Sequence, residues 1–143
     1  MEKKTGEEVT AMNMEEEIIR KVGRILLVTA VLLILTLTVT VVGAKLWFWH
    51  QVDAEVAYQK DRMGQTAFGD IVSRTEARFI QGWLMSARVD IYVFHPTEKV
   101  KQVSVNVTVA GELVPERSYH AQVTGEGHNT VWSAWIKNSE AAQ

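Results

Sequence analysis

The chain has 143 residues, of which 47% are hydrophobic, with 15 Lys and Arg, 17 Asp and Glu, and no Cys. This length suits a single domain, and a net charge of −2 gives no basic surface typical of nucleic-acid binding. The lack of Cys excludes disulfides, thiolate zinc sites, iron–sulfur clusters and covalent CxxCH haem.

The first 24 residues are strongly polar. Residues 1–12 are charged and show no apolar period, which predicts a disordered cytoplasmic tail. Within residues 13–24, the apolar side chains of Ile18, Ile19 and Val22 form a short stripe. This stripe predicts an amphipathic juxtamembrane helix. The alternative is a frayed start of the helix that follows.

An uncharged apolar segment runs from Ile25 to Ala44. At about 1.5 Å per residue, a helix of this length crosses a hydrocarbon core of roughly 30 Å. Its many Val and Thr residues do not argue for a strand, because in lipid only a helix satisfies its own backbone hydrogen bonds. We therefore predict a single-pass transmembrane helix over residues 25–46, embedded in the lipid bilayer.

The residues that flank this segment are typical of membrane interfaces. Arg24 precedes it, Lys45 can extend its ammonium outward, and Trp47, Phe48 and Trp49 form an aromatic belt. Arg24, Lys45, Trp47 and Trp49 are the predicted membrane-interface residues. The basic residues before the span predict a cytoplasmic N-terminus and an extracytoplasmic or periplasmic C-terminal region, in the cell (inner) membrane.

Two alternatives to an uncleaved anchor are a cleaved signal peptide and a buried core helix. Val42-Gly43-Ala44 resembles a cleavage site, but the preceding basic region and apolar run are longer than a signal peptide needs. A core helix with such a long uncharged run is rare in a small domain. A signal-anchor helix is the favoured interpretation.

The helical pattern continues beyond the aromatic belt. Apolar residues recur at approximate helical spacing, at Trp49, Val52, Val56 and Met63, and Gly64 is a suitable stop. This predicts a continuation helix over residues 47–64.

A second helix is predicted over residues 66–85, with Phe68, Val72, Thr75, Phe79 and Trp83 on one face. A strand beginning within Glu76–Leu84 is the alternative, because Gly82 weakens the helix.

From Ala87 onward the apolar period changes to two, which predicts β-strands. The alternating stretches are Val89–Val93, Val103–Val109, Tyr119–Val123 and Trp132–Ile136. Short connections favour an antiparallel meander whose apolar face needs a cover, for which the segment 66–85 is the candidate. The predicted fold is a transmembrane helix followed by a small α+β domain, residues 65–143, with a four-stranded antiparallel sheet. A small β-sandwich is the alternative.

Histidines are the only metal-ligand candidates with a possible common location. His120 and His128 flank one predicted hairpin, and His95 lies at another strand end, which would allow a three-His copper or zinc site. Exposed strand and turn histidines are the more ordinary interpretation, and no HExxH motif is present. His50 is expected at the membrane interface.

No sequence motif indicates catalysis. GxSxG, SxxK and a glycine-rich loop before a helix are all missing, and Cys is absent. A domain this small also has little room for a deep substrate pocket. We therefore expect no enzyme activity, cofactor, small-molecule substrate or nucleic-acid partner.

Two features favour protein contacts. Small residues recur on one face of the span, at Thr29, Thr36, Thr40 and Ala44, which allows another helix to approach closely. The alternative is that each Thr hydroxyl bonds its own helix backbone. Trp132 and Trp135 lie three apart in one predicted strand, hence on opposite faces, so Trp135 is predicted to contact a partner.

These observations predict a bitopic protein that is a non-catalytic accessory or scaffold subunit of a larger membrane complex. Secretion, conjugation and respiratory assemblies use subunits of this architecture. Its expected partners are the bilayer and other membrane-protein subunits, bound through the helix and the outer domain. The alternatives are a His-based copper- or zinc-binding or electron-transfer module, and a transmembrane sensor domain.

Overall fold

The structure, a computed structural model, describes residues 2–72 and 76–141. It begins with one long helix, α1, over Glu2–Gly64. The chain divides into two compact units, Met1–Gly43 and Ala44–Gln143. The first unit is helix alone, and the second combines the end of α1 with a β-sheet.

In the first unit, helix extends over residues that the sequence predicts to be disordered. Residues 2–12 belong to α1, and residues 13–24 continue it without forming a separate helix. The Thr10 hydroxyl donates to the Gly6 carbonyl at 2.7 Å, and Lys21 pairs with Glu17 at 2.8 Å. The Lys21–Glu17 ion pair, four residues apart, supports a helix locally, and acidic residues near its N-terminus interact favourably with the helix dipole. Charge without apolar periodicity is therefore compatible with helix here.

The second unit contains the remaining elements. After α1 ends at Gly64, where the sequence predicts a stop, the described residues form seven strands, two 3₁₀ turns and a short helix. The elements are a 3₁₀ turn at Phe68–Asp70, β1 Glu76–Gln81, β2 Ser86–Thr97, β3 Val100–Val109, β4 Glu112–Leu113, a 3₁₀ turn at Pro115–Arg117, β5 Tyr119–Glu126, β6 Asn129–Trp132, β7 Ile136–Lys137 and α2 Asn138–Ala141.

The seven strands form one antiparallel sheet rather than a four-stranded sheet or a sandwich. Its order is β1-β2-β3-β5-β6, with β4 beside β3 and β7 beside β5. The two additional short strands extend β3 and β5 along positions that the longer neighbours leave unpaired. The coarse prediction, an apolar N-terminal helix followed by a small antiparallel sheet domain, is confirmed.

The predicted helix over 66–85 is wrong where the structure describes it. This segment contains a 3₁₀ turn and strand β1, and residues 73–75 lie outside the described part. Strand β1 pairs with β2 from Glu76 opposite Ile91 to Gln81 opposite Ser86. The apolar spacing resembled a helix, but pairing with β2 supplies the backbone hydrogen bonds that decide the local structure. The alternative strand reading was the better one.

The end of α1 packs on the apolar face of the sheet, and Phe68 and Ile71, from the segment 66–85 that the sequence predicts as the cover, are buried in the same core. Phe48, Val52, Val56 and Met63 lie about one or two turns apart on the same face of α1. They pack into one core with side chains from the inner face of the sheet, namely Ala87, Val89, Ile91, Val103, Val105, Val107 and Val123. Phe48 is 1% exposed, so it belongs to this core rather than to the aromatic belt.

A buried lysine fastens the segment after α1 to the sheet. The Lys101 ammonium donates to the backbone carbonyls of Phe68 at 2.7 Å and Ile71 at 2.9 Å. It also lies 4.4 Å from the centroid of the Phe68 ring. Because these groups replace water around the buried cation, Lys101 can be accommodated without a carboxylate partner.

The turn between β1 and β2 lies close to α1 at Gly82. A Cβ atom there would lie 2.6 Å from Phe48 Cδ2 and 2.9 Å from the Met85 carbonyl oxygen. We expect Gly82→Ala to lower the free energy of unfolding by about 1–3 kcal/mol, because the Phe48 ring and the turn must shift. Gly64→Ala is the matched control, since nothing lies within 4 Å of its Cβ position. Urea unfolding in detergent micelles measures both, and equal losses would contradict the prediction.

Candidate membrane anchor and contact surfaces

Among the described residues, α1 is the one helix long and apolar enough to cross a membrane. Length and composition establish this property, and a signal sequence near an N-terminus shares it. Its apolar side chains are uncovered in the structure, with Ile25, Leu33 and Leu37 each more than 60% exposed. A core helix of a soluble protein is instead mostly buried. The chain is thus compatible with a membrane protein.

The threonines of the apolar segment bond their own helix. Each hydroxyl donates to the carbonyl four residues earlier at 2.8 Å, namely Thr29 to Ile25, Thr36 to Leu32, Thr38 to Ile34 and Thr40 to Thr36. Thr38 does so although it lies off the predicted packing stripe. These bonds satisfy the hydroxyls within the helix itself, so no second helix is needed as an acceptor. Thr29, Thr36, Thr40 and Ala44 would therefore favour helix packing through their small size and not through free hydrogen-bond donors.

The predicted interface residues divide into two groups. Arg24, Lys45 and Trp47 are exposed, whereas Trp49 is half-buried and packs against the core of the second unit. The Arg117 guanidinium lies 4.3 Å from the centroid of the Trp49 ring. Trp49 therefore stabilises the folded domain, whereas Trp47 is exposed.

A cleft beside α1 brings two lysines together. The Lys60 ammonium lies 3.8 Å from the centroid of the Tyr119 ring, and Lys137 lines the same cleft. Burial lowers the pKa of Lys60, and repulsion from Lys137 lowers it further. Arg117 and Asp53 form an ion pair on the same wall. The cleft thus mixes both signs of charge and is open to solvent.

Lys137→Gln is expected to raise the pKa of Lys60 part of the way toward its ordinary value of 10.5. The substitution removes the repulsion but leaves the burial, which is the larger cause. Lys99→Gln is the control, because Lys99 instead pairs with Glu126 at 2.9 Å. NMR titration of ¹³C-methylated lysines follows Lys60 directly. An unchanged pKa in Lys137→Gln would contradict the proposed repulsion.

A second cleft lies between the end of α1 and the start of β1. Arg62 and Glu76 both line it, and Arg62 connects it to a buried glutamine outside the lining: Gln59 accepts from Arg62 at 3.1 Å, and Glu55 accepts from Gln59 at 2.6 Å. Arg62 also contacts Glu76 at 2.5 Å. Because Gln59 is only 1% exposed, this chain of bonds satisfies a buried amide and fixes β1 against α1.

The structure does not bring the three candidate histidines together. His120 lies within β5, where its Nδ1 atom is 2.8 Å from Asn138 Oδ1, whereas His128 lies in the β5–β6 turn. β6 pairs only with the Val123–Glu126 part of β5. His120 lies three residues before this part, so the β5–β6 hairpin does not bring it next to His128. His95 lies in β2. Within residues 2–72 and 76–141, no group of three His, Asp or Glu side chains could hold a metal ion.

The two C-terminal tryptophans lie together, not on opposite faces. Their ring centroids are 5.8 Å apart, and both pack against the core. β6 ends at Trp132, where the Ser133 hydroxyl accepts from the Gln122 amide at 2.9 Å. Since the strand is interrupted, alternation no longer relates position 132 to Trp135. Strict period-two counting was therefore wrong here, and Trp135 lies half-buried beside α1.

Comparison of the chain with protein-family models, curated proteins and solved structures found no match. The functional assignment therefore rests on this chain's own residues. The relevant features are an uncovered apolar helix segment, a sheet backed by the same helix, and two clefts that each contain an ion pair.

Proposed function

We propose that this chain is a bitopic membrane protein, acting as a non-catalytic accessory or scaffold subunit of a larger membrane complex of secretion, conjugation or respiratory type. The observation that carries the proposal is the run of apolar side chains from Ile25 to Val42, which no other described part of the chain covers. Exposed apolar surface of this extent is costly in water and favourable in lipid.

The orientation follows from charge. Basic residues, ending with Arg24, lie directly before the apolar run, while Lys45 is the one cation directly after it. Under the positive-inside rule the N-terminus is cytoplasmic and the sheet domain is extracytoplasmic. In a bacterial envelope this places the domain in the periplasm and the helix in the inner membrane.

The arrangement of the sheet domain supports a contact role. Each of its two clefts contains one ion pair, Arg62–Glu76 in one and Arg117–Asp53 in the other. The outer face of the sheet, turned away from α1, carries large apolar side chains among polar ones, namely Phe79, Tyr92, Phe94, Val131 and Ile136. Aromatic side chains in a polar surrounding are typical of protein interfaces. Trp135, half-buried at a cleft rim, is a further proposed contact.

Helix packing within the membrane can be tested with matched threonine variants. We expect the full chain, purified in mild detergent, to copurify with partner subunits or to migrate above monomer size. Thr36→Leu with Thr40→Leu should lower partner recovery several-fold, because larger side chains on the small-residue stripe block close approach. Thr38→Leu is the control, since Thr38 lies on the opposite face with the same backbone bond. A strictly monomeric wild-type chain would overturn the scaffold proposal.

Orientation is testable because the chain has no Cys of its own. A single cysteine at His128→Cys should react with a membrane-impermeant maleimide on intact spheroplasts. The matched Glu8→Cys variant should react only after permeabilisation, because residue 8 lies on the cytoplasmic side. The reverse pattern would refute the orientation, and release of the protein by alkaline carbonate would refute the membrane span.

A further inference from the structure

The β1–β2 hairpin lies along α1, fastened at two points. At one end Arg62 Nη2 contacts Glu76 Oε2 at 2.5 Å, and at the other Gly82 lies against the Phe48 ring. The helix between Phe48 and Arg62 is about 21 Å long. The strand from Glu76 to Gly82 covers about 20 Å. Because the start of β1 contacts Arg62 and its end lies against Phe48, β1 runs antiparallel to α1 and its turn lies at the Phe48 end.

The tip of this hairpin, residues 82–85, is apolar. It reads Gly-Trp-Leu-Met, without charge, and the Gly82 amide donates to the Met85 carbonyl at 2.8 Å. Trp83 is 67% exposed and Leu84 is 59% exposed, although both are large and apolar. A tight turn thus presents two adjacent side chains that the rest of the described domain does not cover.

The tip lies beside Phe48, near the start of the second unit. Phe48, which it contacts, follows Leu46 and Trp47, which are 67% and 58% exposed. Phe48 is four residues beyond Ala44, or about 6 Å along the helix axis. The headgroup layer on each side of a bilayer is of comparable thickness, roughly 5–8 Å, so a tip at this height meets the interface. Tryptophan is the side chain most typical of that depth.

The opposite end of the domain has the chemistry of a solvent-facing surface. There the Gly127 carbonyl accepts from the Gly69 amide at 3.0 Å, which places the β5–β6 turn beyond the end of α1. Lys99 and Glu126 form an exposed ion pair at 2.9 Å at this end. At the tip end, β4 follows the turn after β3 and carries Glu112 beside Leu113, which is 48% exposed.

We propose that Trp83 and Leu84 insert into the headgroup layer of the same bilayer that α1 crosses, giving the domain a second membrane contact. The inference rests on the proposed transmembrane anchor. It commits to a lipid surface because the apolar tip lies against Phe48, and Leu46 and Trp47, which directly precede Phe48 on α1, are exposed and apolar as well. With two contacts, the helix and the tip, the domain is held at a fixed height and rotation relative to the membrane.

Single cysteines carrying an environment-sensitive fluorophore test this in the full chain, which has no Cys of its own. The probe positions are Leu84→Cys at the tip, Leu35→Cys within the span, and Phe94→Cys, an equally exposed site toward the far end of β2. The protein is reconstituted in phosphatidylcholine–phosphatidylglycerol vesicles containing lipids with nitroxides at shallow or deep positions. We expect shallow nitroxides to quench Leu84→Cys several-fold more than Phe94→Cys, and deep nitroxides to quench Leu35→Cys.

The outcomes separate the two proposals. If Leu35→Cys is quenched while Leu84→Cys behaves like Phe94→Cys, the tip contact is overturned and the anchor stands. If Leu35→Cys is not quenched, the anchor fails and the tip contact fails with it. A blue-shifted but unquenched Leu84→Cys indicates a protein cover and also overturns the lipid contact. Adding Trp83→Ser should lower Leu84→Cys quenching several-fold, whereas adding Val131→Ser, another exposed apolar site, should not.

Discussion

The packing of α1 against the sheet is the constraint on which the rest of the domain depends. Strand β3 buries three valines in succession on one face, Val103, Val105 and Val107, and an uncovered face of this kind is unstable in water. The cover begins at Phe48, four residues after Ala44. One continuous helix therefore supplies both the apolar run and the domain's second layer, and no separate linker lies between them in sequence.

Hydrogen bonds and ion pairs then fix the path of the chain after α1 and the position of β1, which apolar packing alone does not determine. Lys101 holds the carbonyls of Phe68 and Ile71, so the chain leaving α1 returns along the sheet. Arg62 joins a buried glutamine on α1 to Glu76 at the start of β1. In each contact the charged group is partly or fully buried, and its hydrogen-bond partners replace water. This makes the arrangement specific as well as stable. Each of the two clefts described above contains one ion pair of this kind, Arg62–Glu76 or Arg117–Asp53.

Local patterns predicted some elements and misled on others. Helical spacing from Val52 to Met63 and period-two alternation through β3 appear directly in the sequence, because each residue's burial follows from its own element. The partner of the sheet could not be predicted, since the contact between Phe48 and Gly82 joins residues far apart in sequence. The glycine at position 82 is informative in the sequence, where it disfavours a helix. In the structure, its lack of a side chain leaves room for the Phe48 ring.

The long-range contact between Phe48 and Gly82 also explains why the exposed tip at Trp83 and Leu84 could not be predicted from the sequence. Neither Trp83 nor Phe48 indicates a membrane-facing turn by itself, because one was assigned to a helix face and the other to the aromatic belt. Only the contacts of Glu76 with Arg62 and of Gly82 with Phe48 show that the turn lies beside Phe48. If the domain is held by both helix and tip, its outer face keeps a constant orientation above the membrane. A partner subunit then meets a surface already oriented, which lowers the entropic cost of assembly without any added contact.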